Sequence, residues 1–438
     1  MVVNLEWGHD EGVAGSAKAA IQRPRGTQDV LPGAVYVWEY VENAIREVCR
    51  RYHYLEVRTP IFEHTELFER TTGETTDIVE KQMYTFRDRG GRSLTLRPEG
   101  TAPVVRAYLE VPERPLLPWK VFYLGPMFRH ERPQAGRFRQ FVQFGVEAIG
   151  ADDPALDGEV IALADDLFAR LGLEGLSVHL NSIGCPRCRP SYREALLSYF
   201  RGREGLCADC RRRLEVNPLR VLDCKEASCR ALAEEAPRPT DFLCPECREH
   251  FDGVQAFLRH TGIPFVLAPT LVRGLDYYTR TVFEIMHGAL GAQNTVCAGG
   301  RYDGLVEQLG GDPTPGVGFA AGLERLITTL ELEGRLPPPP TEVQVMVAYA
   351  GNAARPVALD ILYRLRRSGW QADIDYLGRS LRAQMKQASR LGAPLVAMVG
   401  EDEVASGEVT VRDMRTGEQV RVPLEELEVT LRRIAPTT

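Results

Sequence analysis

Residues 125–147 have the sequence GPMFRHERPQAGRFRQFVQFGVE, which predicts a strand, an arginine-rich turn and a second strand. Like charges crowded into so short a turn repel one another unless an anion lies among them, so the hairpin favours a phosphate-bearing ligand. The second strand alternates, and the face that carries Phe141, Gln143 and Glu147 suits a binding surface. A solvated basic hairpin whose second strand faces solvent is the alternative interpretation. The crowded arginines are Arg129, Arg132, Arg137 and Arg139.

Two further segments add candidate binding groups before and after this hairpin. In LTLRPEGTAP, residues 94–103, Glu99 stands between a proline and a glycine, so its carboxylate is held in a constrained turn. That carboxylate suits an ammonium group, or it caps a helix that begins near Thr101. In LVRGLDYYTRTVFE, residues 271–284, Arg273 precedes a glycine and is followed by two adjacent tyrosines.

Two segments later in the sequence are rich in glycine. Residues 298–305, AGGRYDGL, predict a turn that carries Arg301 and Tyr302, which is by itself a weak signal for phosphate binding. A helix is predicted over residues 317–333, and Arg325 lies on it among apolar neighbours. Because a buried arginine needs an anionic partner, Arg325 either binds a ligand or makes a structural ion pair.

Length and composition limit the classes of protein that fit. The chain has 438 residues, of which 44% are hydrophobic and 26% charged, and a length of this order predicts about three domains. The formal net charge of −7 argues against a protein that coats nucleic acid or an anionic membrane, although it leaves room for a local basic groove. Neither a secretory signal nor a membrane span is recognisable, so we expect a cytoplasmic location with reduced or metal-bound cysteines.

Hydrophobic spacing predicts the elements around the hairpin. They are helices at 33–52 and 153–171 and strands at 120–124, 141–148, 176–184, 277–285 and 295–298. Prolines at 337–340 predict a stiff linker. The βαβαβ pattern after it predicts a small α/β domain with some parallel strand pairing.

Eight of the ten cysteines lie between residues 185 and 247, in three CxxC pairs and one looser pair. Eight thiols are enough for two tetrathiolate zinc sites. Nested pairing, with the four middle cysteines in one site and the four outer ones in the other, is the first choice, and sequential pairing follows closely. Unliganded thiols and redox chemistry remain open. The cysteines are Cys185, Cys188, Cys207, Cys210, Cys224, Cys229, Cys244 and Cys247.

Seven segments together carry a resemblance to a known family. They are RGTQDVLP (25–32), VRTPIFEHTELF (57–68), TLRPEGTAPV (95–104), FRHERPQAGRFRQFVQFGVE (128–147), LVRGLDYYTRTVFE (271–284), AGGRYDGL (298–305) and GVGFAAGLERL (316–326). From about residue 22 to its C-terminus the chain resembles the histidyl-tRNA synthetases, which are class II aminoacyl-tRNA synthetases. The dense cysteine pairs and residues 1–20 lie outside that resemblance.

The resemblance implies roles for residues at matching positions. Arg129 and Arg273 would be catalytic. Histidine would be bound by Glu99, Gly100, Thr101, Arg129, Gln143, Glu147, Arg273, Tyr277, Tyr278 and Tyr302. ATP would be bound by Arg129, Glu131, Arg137, Phe141 and Arg325. The acceptor end of the tRNA would meet Arg132 and Gln134.

The resemblance also implies an architecture and partners. The expected fold is an α+β catalytic domain with an antiparallel sheet and flanking helices, an inserted and mainly helical cysteine-rich domain, and a C-terminal α/β domain of the anticodon-binding type. The expected bounds are a tail at 1–20, the catalytic domain at 21–184 and 263–336, the insertion at 185–262, the linker at 337–340 and the last domain at 341–438. Expected partners are L-histidine, ATP with Mg²⁺, tRNA(His) and a second copy of the chain, with Pro60 at the dimer interface. Phosphate contacts in the last domain would come from Arg364, Arg366, Arg367, Arg379, Arg382, Lys386 and Arg390.

Two other classes of protein compete with a synthetase. A regulatory subunit of ATP phosphoribosyltransferase shares the catalytic-like fold, but it lacks the last domain and usually loses catalytic positions. Here the chain continues past Pro340, and Arg129, Arg273 and Arg325 are all present. A nucleic-acid-binding protein built on zinc modules would explain the cysteines and would leave the arginine-rich segments without a role.

Overall fold

The computed structural model describes residues 21–72, 78–113, 115–132, 137–288, 290 and 294–435. The chain divides into two compact units, the first ending at Pro337 and the second beginning at Pro338. Within the described ranges no helix combines the length and the apolar character that crossing a membrane requires.

Sixteen strands are present in the described part of the chain. In order they are β1 Leu55–Glu56, β2 Phe62–His64, β3 Tyr84–Arg87, β4 Ser93–Leu96, β5 Trp119–Phe128, β6 Gln140–Ile149, β7 Leu176–Ser182, β8 Phe265–Leu267, β9 Thr279–His287, β10 Thr295–Arg301, β11 Gly316–Gly322, β12 Val345–Tyr349, β13 Ala372–Ile374, β14 Leu395–Val399, β15 Glu408–Asp413 and β16 Gln419–Pro423.

The α-helices lie between and around these strands. They are α1 Pro32–Arg51, α2 Thr65–Thr72, α3 Thr101–Glu110, α4 Pro154–Arg170, α5 Arg189–Phe200, α6 Ala208–Val216, α7 Ala227–Glu234, α8 Pro245–Thr261, α9 Leu305–Gln308, α10 Leu323–Leu332, α11 Ala354–Arg367, α12 Leu381–Arg390, α13 Glu401–Ser406 and α14 Leu427–Ile434. Short non-α turns of helix occupy Ile78–Gln82, Pro218–Val221, Pro239–Phe242 and Leu424–Glu426.

The first unit is organised around an eight-stranded sheet with the order β1-β5-β6-β11-β10-β9-β7-β8. Its central strands are antiparallel, and β1 and β8 pair in parallel at the two edges. Helices α1, α4 and α10 cover one face with apolar side chains. Helix α4 begins where the sequence predicts, because Asp153 caps it by accepting a hydrogen bond from Ala155 N at 2.8 Å and Pro154 occupies its first turn.

The structure corrects the prediction of one helix over residues 317–333. The first part, Gly316–Gly322, is strand β11, and only Leu323–Leu332 is helical. Strand β11 pairs with β6 on one side and β10 on the other. Its run of glycine and alanine disfavours a helix, and small side chains permit the close approach of both neighbouring strands.

Helices α5 to α8 form the cysteine-rich segment that leaves the sheet after β7 and returns to it at β8. The apolar side chains of α5 to α7 belong to the second core cluster of the first unit, which also contains the tyrosines of the sheet's other face. Helix α8 instead packs against α4, and its Phe251, Val254 and Leu258 belong to the first core cluster. The first part of the insertion therefore covers the face of the sheet opposite α1 and α4, while α8 lies with α4.

The second unit is a five-stranded sheet with the order β13-β12-β14-β15-β16. Strand β12 pairs in parallel with β13 and β14, and the last two strands are antiparallel. The βαβαβ pattern predicted from the sequence is therefore present in this unit.

Candidate active site

Glu147 is a buried carboxylate at the centre of a cluster of polar side chains on the face of the sheet opposite α1 and α4. Its side chain is on β6 and is 1% exposed. Thr101 Oγ1 donates a hydrogen bond to one carboxylate oxygen at 2.7 Å, and Tyr302 OH donates to the other at 2.6 Å. Burial raises the pKa of Glu147 to about 8, although these two donors work in the opposite direction. The face of β6 that carries Gln143 and Glu147 is therefore not a solvent face.

Bare glycines allow the strands around Glu147 to approach closely. A Cβ added at Gly318 on β11 would lie 2.1 Å from Glu147 Oε2 and 2.3 Å from the carbonyl oxygen of Val146. A Cβ added at Gly145 would lie 2.3 Å from the phenol of Tyr123. The polar cluster around Glu147 thus depends on two positions where no side chain fits.

Glu99 caps the helix that begins at Thr101. Its carboxylate accepts hydrogen bonds from Thr101 N at 2.6 Å and Ala102 N at 2.9 Å, so the capping role expected from the sequence is present. Burial raises the pKa of Glu99, and the two backbone donors oppose that rise. Since a carboxylate has further acceptor positions, the cap leaves Glu99 able to accept from a ligand as well.

Arg273 is held by a carboxylate on the neighbouring strand. Its guanidinium forms an ion pair with Glu284 on β9, whose other oxygen accepts from Thr295 Oγ1 at 2.8 Å. Burial works to lower the pKa of Arg273, but Glu284 acting together with Tyr278, Asp223 and Tyr277 outweighs it, and the pKa lies above its ordinary value. The rings of Tyr277 and Tyr278 lie 4.8 Å apart beside it, and both are buried. Arg273 therefore stays charged in a largely apolar surround.

Arg129 and Phe141 both line a cleft in the first unit. The Arg129 guanidinium lies 5.3 Å from the centroid of the Phe141 ring, and its Nε donates to the carbonyl of Pro98 at 2.8 Å. Burial lowers the pKa of Arg129, yet arginine remains charged in proteins. These contacts fix a cation above an aromatic surface.

A cleft of about 910 Å³ is lined by all five residues expected to bind ATP. Glu131 pairs with Arg137 at 3.0 Å on one wall. Arg325 donates to the carbonyl oxygen of Thr295 at 3.0 Å on another. The lining includes Arg129, Glu131, Arg137, Phe141, Gln143, Arg273, Glu284 and Arg325. The cleft is therefore rich in arginine, and two of these arginines, Arg137 and Arg273, are paired with carboxylates of the same wall.

Two buried polar atoms in this region are unsatisfied in the described part of the chain. They are Gln143 Oε1 and Arg273 Nε. Buried polar groups are normally hydrogen-bonded, so each is a candidate contact for a polar ligand.

Other expected site residues do not line the cleft. Seven of the residues expected to bind histidine are buried and lie outside its lining, namely Glu99, Gly100, Thr101, Glu147, Tyr277, Tyr278 and Tyr302. Arg132 is exposed, and Gln134 falls outside the described residues. Arg301, expected in a glycine-rich turn, lies at the end of strand β10 and is fully buried, where it pairs with Asp157 at 2.6 Å and Asp303 at 3.0 Å. It is a structural residue and is not available to phosphate.

In the second unit three of the expected phosphate contacts are already in ion pairs. Arg364 pairs with Glu428, Arg366 with Asp373 and Arg379 with Asp375. The remaining four are exposed and suit phosphate contacts better. They are Arg367, Arg382, Lys386 and Arg390.

Sequence reasoning missed three residues of the site. Tyr123 fills the space beside Gly145, Glu284 holds Arg273, and Glu324 accepts a hydrogen bond from Val142 N at 2.9 Å. Burial raises the pKa of Glu324 to about 7. Glu324 directly precedes Arg325, so a carboxylate on an apolar stretch was the signal available in the sequence.

The eight clustered cysteines form two groups of four, in the nested order predicted as the first choice. The inner cluster is Cys207, Cys210, Cys224 and Cys229, and the outer cluster is Cys185, Cys188, Cys244 and Cys247. Sulfur–sulfur separations of 3.7 and 3.9 Å in the outer cluster and 3.9 Å in the inner one exceed a disulfide bond. A zinc ion bound by four thiolates at about 2.3 Å holds its sulfurs roughly 3.8 Å apart. Both clusters therefore have the dimensions of tetrathiolate metal sites.

Comparison with known proteins identifies the family. A model of the histidyl-tRNA synthetases matches residues 26–187 and 225–326, and a model of the anticodon binding domain matches residues 344–434. The chain belongs to the histidyl-tRNA synthetase family. Residues 188–224 lie between the two segments that the synthetase model matches and are not matched by it. They make up most of the first half of the cysteine-rich insertion.

Individual relatives of this synthetase family resemble nearly the whole chain. The histidine–tRNA ligase of Moorella thermoacetica is 58% identical over 92% of this chain and 96% of its own length. The histidine–tRNA ligase of Desulforudis audaxviator is 57% identical over 95% of this chain and 99% of its own length. The crystal structure of apo histidyl-tRNA synthetase from S. aureus, 42% identical, covers 94% of this chain and 99% of its own with a TM-score of 0.80. The predictions of fold class, family and enzyme class are therefore confirmed.

The raised pKa of Glu147 gives a prediction for the ligand-free synthetase. The pKa is about 8 in the folded chain and about 4.3 in an unfolded one, so the folded state binds the proton more tightly. The stability that comes from binding this proton to Glu147 is complete below about pH 4 and is lost as the pH rises to about 8 and above. We expect Glu147→Gln, which cannot ionise, to gain stability relative to the parent chain across that range in urea unfolding at several pH values. A difference that stays constant from pH 5 to 9 would contradict the raised pKa.

Proposed function

We propose that this chain joins L-histidine to tRNA(His) in two steps that share one cleft. The observation that carries the proposal is the position of Glu147, a buried carboxylate next to a cleft lined by Arg129, Arg273 and Arg325. A carboxylate suits the imidazole, and the cationic cleft suits a nucleoside triphosphate.

Recognition of histidine would depend on polar groups that a wrong side chain leaves unpaired. The imidazole would bind Glu147 on one ring nitrogen and the phenol of Tyr278 on the other. The α-ammonium group would bind Glu99 and the unsatisfied Gln143 Oε1, both within the same buried region. Tyr277 and Tyr302 pack against each other with centroids 6.0 Å apart and would close the pocket around the ring.

In the first step the histidine carboxylate would attack the α-phosphorus of ATP while pyrophosphate leaves in line. Arg129 and Arg273 would stabilise the charge that grows on the α-phosphate oxygens. Arg325, Glu131 and Arg137 would hold the rest of the nucleotide. Magnesium would neutralise charge on the β- and γ-phosphates, and the carboxylate of Glu131 is a hard oxygen donor on this part of the wall.

In the second step the 3′-hydroxyl of the tRNA would attack the histidyl adenylate. No side chain in the described cleft is placed as an obvious base, so a phosphate oxygen would accept the proton. Arg132 is exposed beside the cleft and would contact the acceptor end of the tRNA. The same role is proposed for Gln134. The anticodon-binding unit would contact the other end of the tRNA through its exposed basic residues.

A homodimer and structural zinc complete the proposal. Exposed Ile61, Phe62 and Phe86 lie near Pro60, and such a surface suits burial against a second copy. One Zn²⁺ would occupy each cysteine cluster, whose sulfur spacing fits tetrahedral thiolate coordination. The domain bounds and a cytoplasmic location remain predictions.

Amino-acid-dependent ATP–pyrophosphate exchange tests the function across the twenty amino acids. We expect exchange with histidine alone, because a site built on polar contacts rejects analogues that lack them by about 10⁴-fold or more. A chain that binds histidine tightly but supports no exchange would contradict the proposal and would favour a regulatory role instead.

A further inference from the structure

The inner cysteine cluster is continuous with the wall of the cleft. Cys224, one of its four members, lines the cleft together with its neighbours Asp223 and Lys225. The same cleft contains Arg129 and Arg273. One member of the cluster is therefore part of the surface at which ATP and histidine would meet.

Two polar contacts join the cluster's loop to the segment that carries Arg273. Arg220 Nη1 donates to the carbonyl oxygen of Arg273 at 3.3 Å. Asn217 Nδ2 donates to Asp276 Oδ1 at 3.1 Å. The guanidinium of Arg220 also lies over Gly274, where an added Cβ would approach it to 3.2 Å. The carbonyl group of Arg273 and the side chain of Asp276, three residues later, are thus held from the insertion.

Apolar packing strengthens the same connection. Val221 and Leu222 belong to one buried cluster with Val272 of the Arg273 segment. That cluster also includes inner-cluster cysteines and the tyrosines of the proposed histidine pocket. A displacement of the loop would therefore disturb the packing around Arg273 as well as the two hydrogen bonds.

The loop that carries Asn217 and Arg220 has little regular secondary structure, so its position depends mainly on the cysteines around it. Between α6 and α7 only the short helical turn Pro218–Val221 is regular. Inner-cluster cysteines bracket the loop, Cys210 before it and Cys224 and Cys229 after it. In small segments of this kind metal binding supplies the free energy that folds the segment.

We propose that Zn²⁺ in the inner cluster positions Arg273 for histidine activation, acting through Arg220 and Asn217. The metal fixes the loop from residue 217 to residue 225, and the loop holds the Arg273 carbonyl and the Asp276 side chain so that the guanidinium meets the α-phosphate. Arg220 and Asn217 are positioning residues, because neither touches a reacting atom. This inference rests on the proposed synthetase function.

Cys207→Ser tests the role of the metal in the full-length chain. Serine keeps a capping oxygen at the start of α6, where the Cys207 side chain accepts from Cys210 N, but it removes one thiolate ligand. Metal analysis should find about two zinc ions in the parent chain and about one in the variant. We expect kcat for histidine-dependent exchange to fall roughly 10- to 100-fold, the effect of a displaced catalytic group, with a much smaller change in KM for ATP.

Arg220→Gln tests the connection without touching a ligand. It should retain both metal ions and show a similar fall in kcat, and Arg220→Lys should recover part of the loss. The matched control is Arg248→Gln, which removes a comparable arginine bond, to the carbonyl of Thr240 at 2.9 Å, on the exposed side of the insertion. That control should exchange like the parent chain.

The double variant Cys207→Ser/Arg220→Gln distinguishes positioning from general damage. If both changes act through one contact, the double variant should lose little more kcat than either single variant, since coupled residues are not additive. Parental kcat in Arg220→Gln, fully multiplied losses in the double variant, or full exchange by metal-free chain would each overturn the inference. Absence of histidine-dependent exchange in the parent chain would instead contradict the proposed function.

Discussion

Replacing Arg273 with glutamine is expected to lower kcat for histidine-dependent pyrophosphate exchange by about 10²- to 10³-fold, the usual cost of removing one group that stabilises transition-state charge. Arg273 is charged, lines the cleft and has an unsatisfied Nε. Glutamine keeps a hydrogen-bonding side chain, although a shorter one, and carries no charge. The loss should therefore appear in kcat more strongly than in the equilibrium affinity for ATP.

The ion pair with Glu284 provides the control for this experiment. Removing Arg273 leaves the Glu284 carboxylate without its cation, so part of any loss could come from a disturbed fold. Glu284→Gln breaks the same pair but leaves the guanidinium in the cleft, and Thr295 can still hydrogen-bond to the amide. A catalytic Arg273 requires that Glu284→Gln lose much less kcat than Arg273→Gln. Equal losses in the two variants would assign Arg273 to structure alone.

The site could be predicted from sequence wherever local periodicity decides the structure. The hairpin of β5 and β6 follows from alternation over residues 140–149, and the cap at Glu99 follows from its place before α3. Spacing of the CxxC pairs also limited the ways in which eight thiols could group. These are features that a short window of sequence contains.

The remaining features depend on contacts between distant parts of the chain. Residues 316–322 form a strand because β6 and β10 lie on either side of them, which no local pattern shows. The partners of Arg301 and Arg364 likewise lie far away in sequence, at Asp157 and Glu428. The pairing of these arginines is consequently a property of the packed structure, and a count of arginines overstates the cations available to nucleic acid.

Gly318→Ala is expected to abolish most histidine activation and to lower the free energy of unfolding by about 3 kcal/mol or more, the upper part of the range for overpacked cores. The new methyl group would meet Glu147 Oε2 at 2.1 Å and the Val146 carbonyl oxygen at 2.3 Å. The carboxylate could rotate away only by giving up its bonds with Thr101 and Tyr302. The carbonyl belongs to the backbone of β6 and can move only if the pairing of β6 with β11 changes.

Gly304→Ala is the matched control, since a Cβ there meets nothing within 4 Å and Gly304 does not require a left-handed backbone. We expect it to unfold and exchange like the parent chain. For Gly318→Ala, urea unfolding measures the stability, and exchange under conditions where the variant is folded measures the site. Because the clash displaces Glu147 itself, the folded variant should lose more than about 100-fold in kcat/KM for histidine. Parental kcat/KM in a folded Gly318→Ala chain would show that Glu147 does not need its present position, and would remove it from histidine recognition.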